Sequence, residues 1–141
     1  MARVIGVGGI FLKSPNARRL RRWYSRCLGL AMESPSGVAF MPKAMPKGAV
    51  TVLSVFAKST RYFNPSTARF MINLIVDDLE GVLEQVVKGG GRVVGRIKDY
   101  PYGRFGWFLD PDQNKVELWQ PPAAKVPGRT SRRKASRRTT G

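Results

Sequence analysis

Glu117 is the residue of this chain whose type and setting point most directly to chemistry. It lies between Val116 and Leu118 in an apolar run, and strand alternation puts it on one face with Lys115 and Trp119. A carboxylate in such surroundings can bind a ligand or, with its pKa raised by burial, act as a general base. The alternative is a structural carboxylate paired with an Arg or Tyr side chain.

A turn predicts which side chains surround Glu117. Residues 110–114 read Asp-Pro-Asp-Gln-Asn, a turn composition, so the segments on either side are expected to form a hairpin. In the simplest register Trp107 lies opposite Glu117. Phe105 then lies opposite Trp119, and strand parity adds Phe11, Met71 and Asn73 to the same face. Tyr102 and Arg104 flank Gly103 at the start of the strand and are candidates for a rim or lid, although parity points Arg104 away from Glu117. The predicted ligand-binding set is largely aromatic and consists of Phe11, Met71, Asn73, Tyr102, Arg104, Phe105, Trp107, Glu117 and Trp119.

The composition excludes several classes of chemistry. The chain has no histidine, so it lacks the commonest general base and metal ligand and cannot form a Cys–His or Ser–His pair. Its single cysteine, Cys27, cannot form an intrachain disulfide, which favours a cytoplasmic location. No apolar run approaches the roughly 20 residues of a membrane span, so we expect no membrane partner.

Positive charge is concentrated at the C-terminal end. The net charge is +16, and residues 123–141 hold seven of the 25 basic residues and none of the nine acidic ones. The rest of the chain therefore has 18 basic and nine acidic side chains, a net +9. With almost no large apolar side chain, the segment 123–141 is expected to be a disordered basic tail that can bind nucleic acid nonspecifically.

The elements that would position the site occur twice in the same order. In the first half, a helix between Asn16 and Gly29 is predicted among strands at residues 3–13, 30–33, 37–41 and 49–57. In the second half, a helix between Asp78 and Gly89 is predicted among strands at residues 69–76, 92–98, 104–109 and 115–120. A shift of 62 residues aligns the two helix caps, Asn16 and Asp78.

This order predicts an α+β fold of two tandem βαβββ modules, over about residues 3–57 and 69–122, within one domain spanning residues 1–122. A single small sheet would leave one face bare, so the two sheets are expected to pack into a cup with the helices outside.

Three stretches resemble the vicinal oxygen chelate superfamily, which includes glyoxalases, bleomycin resistance proteins and extradiol dioxygenases. They are residues 9–13 with the helix segment 23–30, residues 73–79, and the hairpin 108–118. The resemblance implies a glyoxalase-like cupped mixed sheet and, because small members commonly pair, a homodimer. It also implies a glycine where this chain has Gln113, at a cost of about 1 kcal/mol if that position is left-handed.

The chain departs from the superfamily at the metal site. In metal-dependent relatives each module supplies two ligands, and the corresponding positions here are Gly9, Met71, a residue near Val52 or Leu53, and Glu117. Glycine has no donor atom, a thioether does not suit a hard metal ion, and one carboxylate is not enough. We therefore expect no cofactor, with a weakly held divalent metal as the alternative.

Three functions follow as hypotheses. The first is a protein with a degenerate metal site that binds a small neutral or anionic organic molecule in the cup. Cationic bleomycin is a poor candidate ligand for a domain of net charge +9. The alternative is a lyase or isomerase that uses Glu117 as a base or holds a divalent metal weakly. The second alternative is a nucleic-acid-associated protein that acts through its basic tail.

Overall fold

The computed structural model describes residues 1–3, 5, 7, 9–32 and 37–123 of the chain. Only Ala123 of the predicted tail is among these residues, so the disorder of the tail stays a prediction. The described residues form two helices, five strands and one short 3₁₀ turn at Pro42–Ala44. In chain order these are α1 Ala17–Leu28, β1 Ile72–Ile75, α2 Leu79–Lys88, β2 Arg92–Val93, β3 Lys98–Tyr100, β4 Gly103–Leu109 and β5 Lys115–Gln120.

Both helices begin at the predicted caps. The Asn16 side chain accepts a hydrogen bond from the Arg19 backbone N–H at the start of α1, and Asp78 accepts one from the Gly81 N–H at the start of α2. Each cap satisfies a backbone donor that has no partner inside the helix. At the other end, α1 ends at Gly29, whose φ of 65° is left-handed.

The strands form one mixed sheet in the order β1-β5-β4-β2, and β3 also pairs with β4. β1 runs parallel to β5, and the other pairs are antiparallel. The β4–β5 hairpin has the predicted register, with Trp107 opposite Glu117 and Phe105 opposite Trp119. The prediction of an α+β fold with a mixed sheet is thus confirmed.

Two strands of the second half differ from their predicted bounds. The strand predicted at residues 69–76 covers only Ile72–Ile75. The strand predicted at residues 92–98 is divided into β2 and β3, because Gly95 between them has a left-handed φ of 70°. This break carries the chain to a second pairing with β4, which brings Lys98 opposite Phe105.

The core lies between α2 and one face of the sheet. Leu79, Leu83 and Val86 of α2 pack with Phe108, Val116 and Leu118 of the sheet, and α1 adds four further buried residues, Leu20, Trp23, Tyr24 and Cys27. The two helices approach closely at Gly89, where a Cβ would overlap the Cys27 Sγ. The Trp23 indole donates a 2.9 Å hydrogen bond to the Gly89 carbonyl, so α1 is fixed against the C-terminal half.

The predicted strands of the first half are not formed in its described residues. Residues 9–13, 30–32, 37–41 and 49–57 contain no strand, and several of their apolar side chains are exposed. Leu53 is 84% exposed and Val55 is 97% exposed. A strand needs a neighbour to pair its backbone groups, and within the described residues of one chain these segments have none. Val4, Gly6, Gly8 and residues 33–36, also predicted to lie in or near strands, fall outside the described residues.

The turn between β4 and β5 contains the predicted left-handed residue. Gln113 has a φ of 67°, a conformation that glycine adopts more easily because it lacks a Cβ. The turn closes with a 2.9 Å hydrogen bond from the Gln113 N–H to the Asp110 carbonyl. It therefore keeps its geometry despite the departure from glycine.

Candidate functional site

The sheet face opposite α2 carries the polar and aromatic residues of the site. The register places Lys98 opposite Phe105 on β3 and β4, and Trp107 opposite Glu117 on β4 and β5. Asn73 of β1 lies beside Glu117. These residues therefore form a continuous strip across four strands, on the side that the helices leave free.

Glu117 is buried and accepts three hydrogen bonds. Its Oε2 accepts from the Trp107 Nε1–H at 2.8 Å and from the Tyr62 hydroxyl, and its Oε1 accepts from the Asn73 amide at 2.7 Å. A carboxylate has about four acceptor positions, so one on Oε1 is left for a further donor. The hydrogen bond from Tyr62 is the pairing with a tyrosine that the sequence analysis gave as an alternative role for Glu117.

Tyr62 comes from the connection between the two halves and is held over this face. Its ring packs edge-to-face on Trp107, and its carbonyl accepts a 2.6 Å hydrogen bond from the Lys115 amine. Burial, followed by the hydrogen bond to Glu117, raises the pKa of Tyr62 above its ordinary value. The phenol therefore stays protonated and acts as a donor to the carboxylate. Burial also lowers the pKa of Lys115.

A cavity of about 300 Å³ is lined by Tyr62 and Trp107, two of the donors to Glu117, but not by Glu117 itself. The rings of Tyr100 and Tyr102 stack in parallel, 5.2 Å apart at 1°, and Phe105 presents an edge to both. The Lys98 amine lies 5.8 Å above the centre of the Trp107 ring. The walls are therefore aromatic except for one cation. The lining residues are Tyr62, Lys98, Tyr100, Tyr102, Phe105 and Trp107.

Most of the residues predicted for the site are brought together. Tyr102, Phe105 and Trp107 line the cavity, Glu117 accepts a hydrogen bond from Trp107 of the lining, and Asn73 donates to Glu117. Trp119 supports the wall, because it stacks on Phe105 and its indole donates a 2.9 Å hydrogen bond to the Tyr102 carbonyl.

Three predicted residues lie elsewhere. Arg104 faces away from the cavity and forms salt bridges with Glu80 and Asp99, both at 2.8 Å, because its position on β4 has the opposite parity to Phe105. Phe11 is 94% exposed and lies outside the cavity, because its segment pairs with no strand in the described residues. Met71 precedes β1 and is not part of the lining.

Three residues of the site, Lys98, Tyr100 and Tyr62, were not predicted. Lys98 and Tyr100 could have been found by continuing strand alternation to residue 100, which puts both on the face of Phe105. Lys115 lies on the predicted face of Glu117, although the predicted ligand-binding set did not include it. Tyr62 lies in an irregular polar connection, where no sequence periodicity indicates which way a side chain faces.

The described residues do not fit a divalent metal. No group of three His, Cys, Asp or Glu side chains comes together within them. Glu117 already accepts from three donors, and the Gly9 and Met71 positions supply no hard ligand.

Purified protein is expected to contain far less than one equivalent of Zn, Ni, Mn or Fe. Elemental analysis by mass spectrometry checks this, with Glu117→Ala as the comparison. About one metal ion per chain that is lost in Glu117→Ala would contradict the prediction.

Fold and site together define a small α+β protein with an aromatic pocket beside a buried carboxylate. The model of the glyoxalase-like domain family matches residues 9–119, and the chain belongs to this family. This confirms the resemblance to the vicinal oxygen chelate superfamily. No curated protein matches the chain.

Solved structures that match this chain include the following three. TnmS3, an antibiotic binding protein from Streptomyces sp. CB03234, is 25% identical over 77% of this chain and 88% of its own, with a TM-score of 0.45. A glyoxalase-related enzyme from Fulvimarina pelagi is 15% identical over 90% of this chain and 94% of its own, with a TM-score of 0.45. A glyoxalase/bleomycin resistance protein/dioxygenase superfamily member from Sphaerobacter thermophilus is 28% identical over 35% of this chain, with a TM-score of 0.32. The match spans 40% of that protein.

Among the described residues, no helix has the length and apolar character needed to cross a membrane.

Proposed function

We propose that this protein binds a small neutral or anionic organic molecule in the pocket beside Glu117. The observation that carries the proposal is the pocket itself, with five aromatic side chains and one lysine around about 300 Å³. Sites for small molecules are typically concave and apolar, with a few polar groups that fix the orientation of the ligand. Here the charged group in the lining is Lys98, and Glu117 is hydrogen-bonded to two of the lining residues, Tyr62 and Trp107.

Glu117 is proposed to act on the ligand in two ways. It holds Tyr62 and Trp107, two walls of the pocket, by hydrogen bonds, and its Oε1 accepts a hydrogen bond from the ligand directly or through water. The alternative, a lyase or isomerase with Glu117 as base, is less favoured, because three donors already occupy most of the acceptor positions that a base needs for its substrate.

A thermal-shift screen of metabolites and antibiotics on the full chain tests the proposal. A ligand at 100 times its dissociation constant adds about 2.7 kcal/mol to the free energy of unfolding. Trp107→Leu removes a wall of the pocket and should abolish the shifts. Phe70→Ser changes an exposed aromatic residue that is not part of the pocket lining and should keep them. A screen without any shift, or shifts that survive in Trp107→Leu, would reject the proposal.

We also propose a symmetric homodimer, in which a second copy covers the exposed apolar residues of the first half. Residues 49–57 are mostly apolar, and Val52, Leu53 and Val55 are all exposed in the single chain. A run of exposed apolar side chains of this length is typical of an interaction surface.

Light scattering at micromolar concentration is expected to give the mass of a dimer. The double variant Leu53→Asp, Val55→Asp should be monomeric, because charged groups in the contact would lose hydration. Val87→Asp is the matched control, since Val87 is a single exposed valine on α2 and should leave the dimer intact. A monomer mass for the unmodified protein would contradict the proposal.

The basic segment 123–141 is proposed to bind polyanions nonspecifically. Its seven cations and absence of acidic residues predict a steep loss of affinity as salt concentration rises. Deleting residues 123–141 should remove most DNA retention at low salt and leave the melting temperature nearly unchanged. If the truncated protein retains DNA equally well, the five arginines of α1 are the surface responsible.

A cytoplasmic location is proposed on the basis of Cys27, which is a free, buried thiol.

A further inference from the structure

The positive charges around the pocket outnumber the negative ones. Lys98 is exposed at the pocket and forms no salt bridge within the described residues, whose carboxylate–cation pairs all involve Arg104. The Lys115 amine also lies 5.8 Å from the centre of the Trp107 ring, and Lys115 and Glu117 share one face of β5. Two ammonium groups and one carboxylate leave a local charge of +1.

The unpaired cation is Lys98 rather than Lys115. Lys115 is buried, its amine donates to the Tyr62 carbonyl at 2.6 Å, and the negative charge of Glu117 partly compensates its own. The Lys98 amine lies 5.8 Å from the centre of the Trp107 ring and has no salt bridge or hydrogen bond to any residue that the structure describes. An anionic group at the mouth of the pocket would therefore find one cation that no protein group neutralises.

The walls select for flat molecules. Tyr100 and Tyr102 lie parallel to each other, and Phe105 and Trp119 stack nearly parallel at 11°. Aromatic rings gain offset-stacked and edge-to-face contacts beyond the burial of their area. A volume of about 300 Å³ is at the lower end of the range of roughly 300–1,000 Å³ found for ligand pockets, so the ligand is small.

The polar groups lie at opposite ends of this aromatic surface. Lys98 is on β3 and Glu117 is on β5, with β4 between them. Two strand spacings separate them by roughly 10 Å. A fused bicyclic ring system with a polar group at each end is a molecule of this order of length.

From these observations we propose that the ligand class is the planar aromatic monoanions, with the anionic group next to Lys98 and the ring against the aromatic walls. This inference rests on the proposed binding function and adds the sign of the ligand charge and its orientation. Lys98 is the residue that determines specificity for the anion, and the aromatic walls bind the ring.

Three matched probes test the inference by isothermal titration calorimetry on the full chain. They are 6-hydroxy-2-naphthoate, its neutral carboxamide, and its cationic aminomethyl analogue, which share the ring and the hydroxyl. The anion is expected to bind up to about fivefold more tightly than the amide, because an exposed ion pair adds at most a modest free energy. The cation should bind most weakly, and raising the ionic strength should reduce the preference for the anion.

Variants of Lys98 separate charge from structure. Lys98→Met keeps the aliphatic stem and should remove the preference for the anion while the amide binds as before. Lys98→Arg should retain the preference, and Lys88→Met, which removes an exposed charge on α2, should not change it. Equal binding of anion and amide, tighter binding of the cation, or an equal loss of anion and amide in Lys98→Met would each overturn the inference.

These experiments distinguish a failure of the inference on charge from a failure of the proposed binding function. If the three probes do not bind but neutral or cationic compounds from the thermal-shift screen do, the inference on charge is wrong and the binding function stands. If neither the probes nor the screened compounds bind, both are wrong.

Discussion

Replacing Asp110 with alanine is expected to lower the free energy of unfolding by about 3–5 kcal/mol, since four hydrogen bonds to a buried carboxylate are lost and each buried donor left without a partner costs about 1–3 kcal/mol. Asp110 is only 1% exposed and its carboxylate accepts four hydrogen bonds. Oδ1 accepts from the backbone N–H groups of Asp112 and Asn114, and Oδ2 accepts from the Tyr24 hydroxyl and the Asn114 amide. Its loss leaves these donors without a partner at the junction of α1 and the β4–β5 turn.

Chemical denaturation followed by tryptophan fluorescence measures this effect. Tyr24→Phe removes one of the four bonds and should cost about 2 kcal/mol, within the range of a hydrogen bond to a charged group. Asp99→Ala is the control, because Asp99 is an exposed carboxylate in a surface salt bridge and should cost less than about 1 kcal/mol. An Asp110→Ala protein as stable as Asp99→Ala would show that the network contributes little.

Glu117→Gln is expected to reduce the affinity for a bound ligand by about 2 kcal/mol, roughly 30-fold, while the fold survives. The glutamine oxygen can still accept from Tyr62 and Trp107. Its amide can donate to Asn73 once the Asn73 amide turns over, so no buried donor loses its partner. In this variant, however, the amide NH₂ replaces Oε1. The NH₂ group cannot accept the hydrogen bond that Oε1 would accept from a ligand.

Calorimetric titration with a compound from the thermal-shift screen checks this result, together with the melting temperature of the variant. Glu80→Gln removes an exposed carboxylate on α2 and should bind the compound like the unmodified protein. Unchanged affinity in Glu117→Gln would mean that Glu117 only holds the walls of the pocket. The emission of Trp107 offers a second signal, because this indole donates to Glu117 and lines the pocket.

The second half of the fold could be predicted because its signals are local. The cap at Asp78 and the apolar stripe of α2 follow from residues within one helix, and the hairpin register follows from a five-residue turn. The first half could not be predicted in the same way. Its alternating apolar residues predict strands, but strand formation depends on a partner, and residues 49–57 have none in the described single chain.

The same distinction applies to the site. Parity along β4 and β5 correctly grouped Phe105, Trp107 and Glu117, because alternation is a property of the strand itself. Strand parity places Arg104 on the sheet face opposite to that of Phe105, and there its side chain forms a salt bridge with Glu80. Tyr62 depends on contacts between residues 55 positions apart in the chain, and only the assembled structure shows them.

The close approach of the two helices at Gly89 makes the one thiol of the protein a natural reporter. Cys27 is buried beneath Gly89, and burial raises its pKa, so little thiolate is present to react. A thiol reagent can reach it only in molecules whose helices have transiently separated. The rate of labelling therefore measures how often α1 undocks, without any added probe or mutation, and a change in that rate would show whether events at the pocket are transmitted to the opposite side of the sheet.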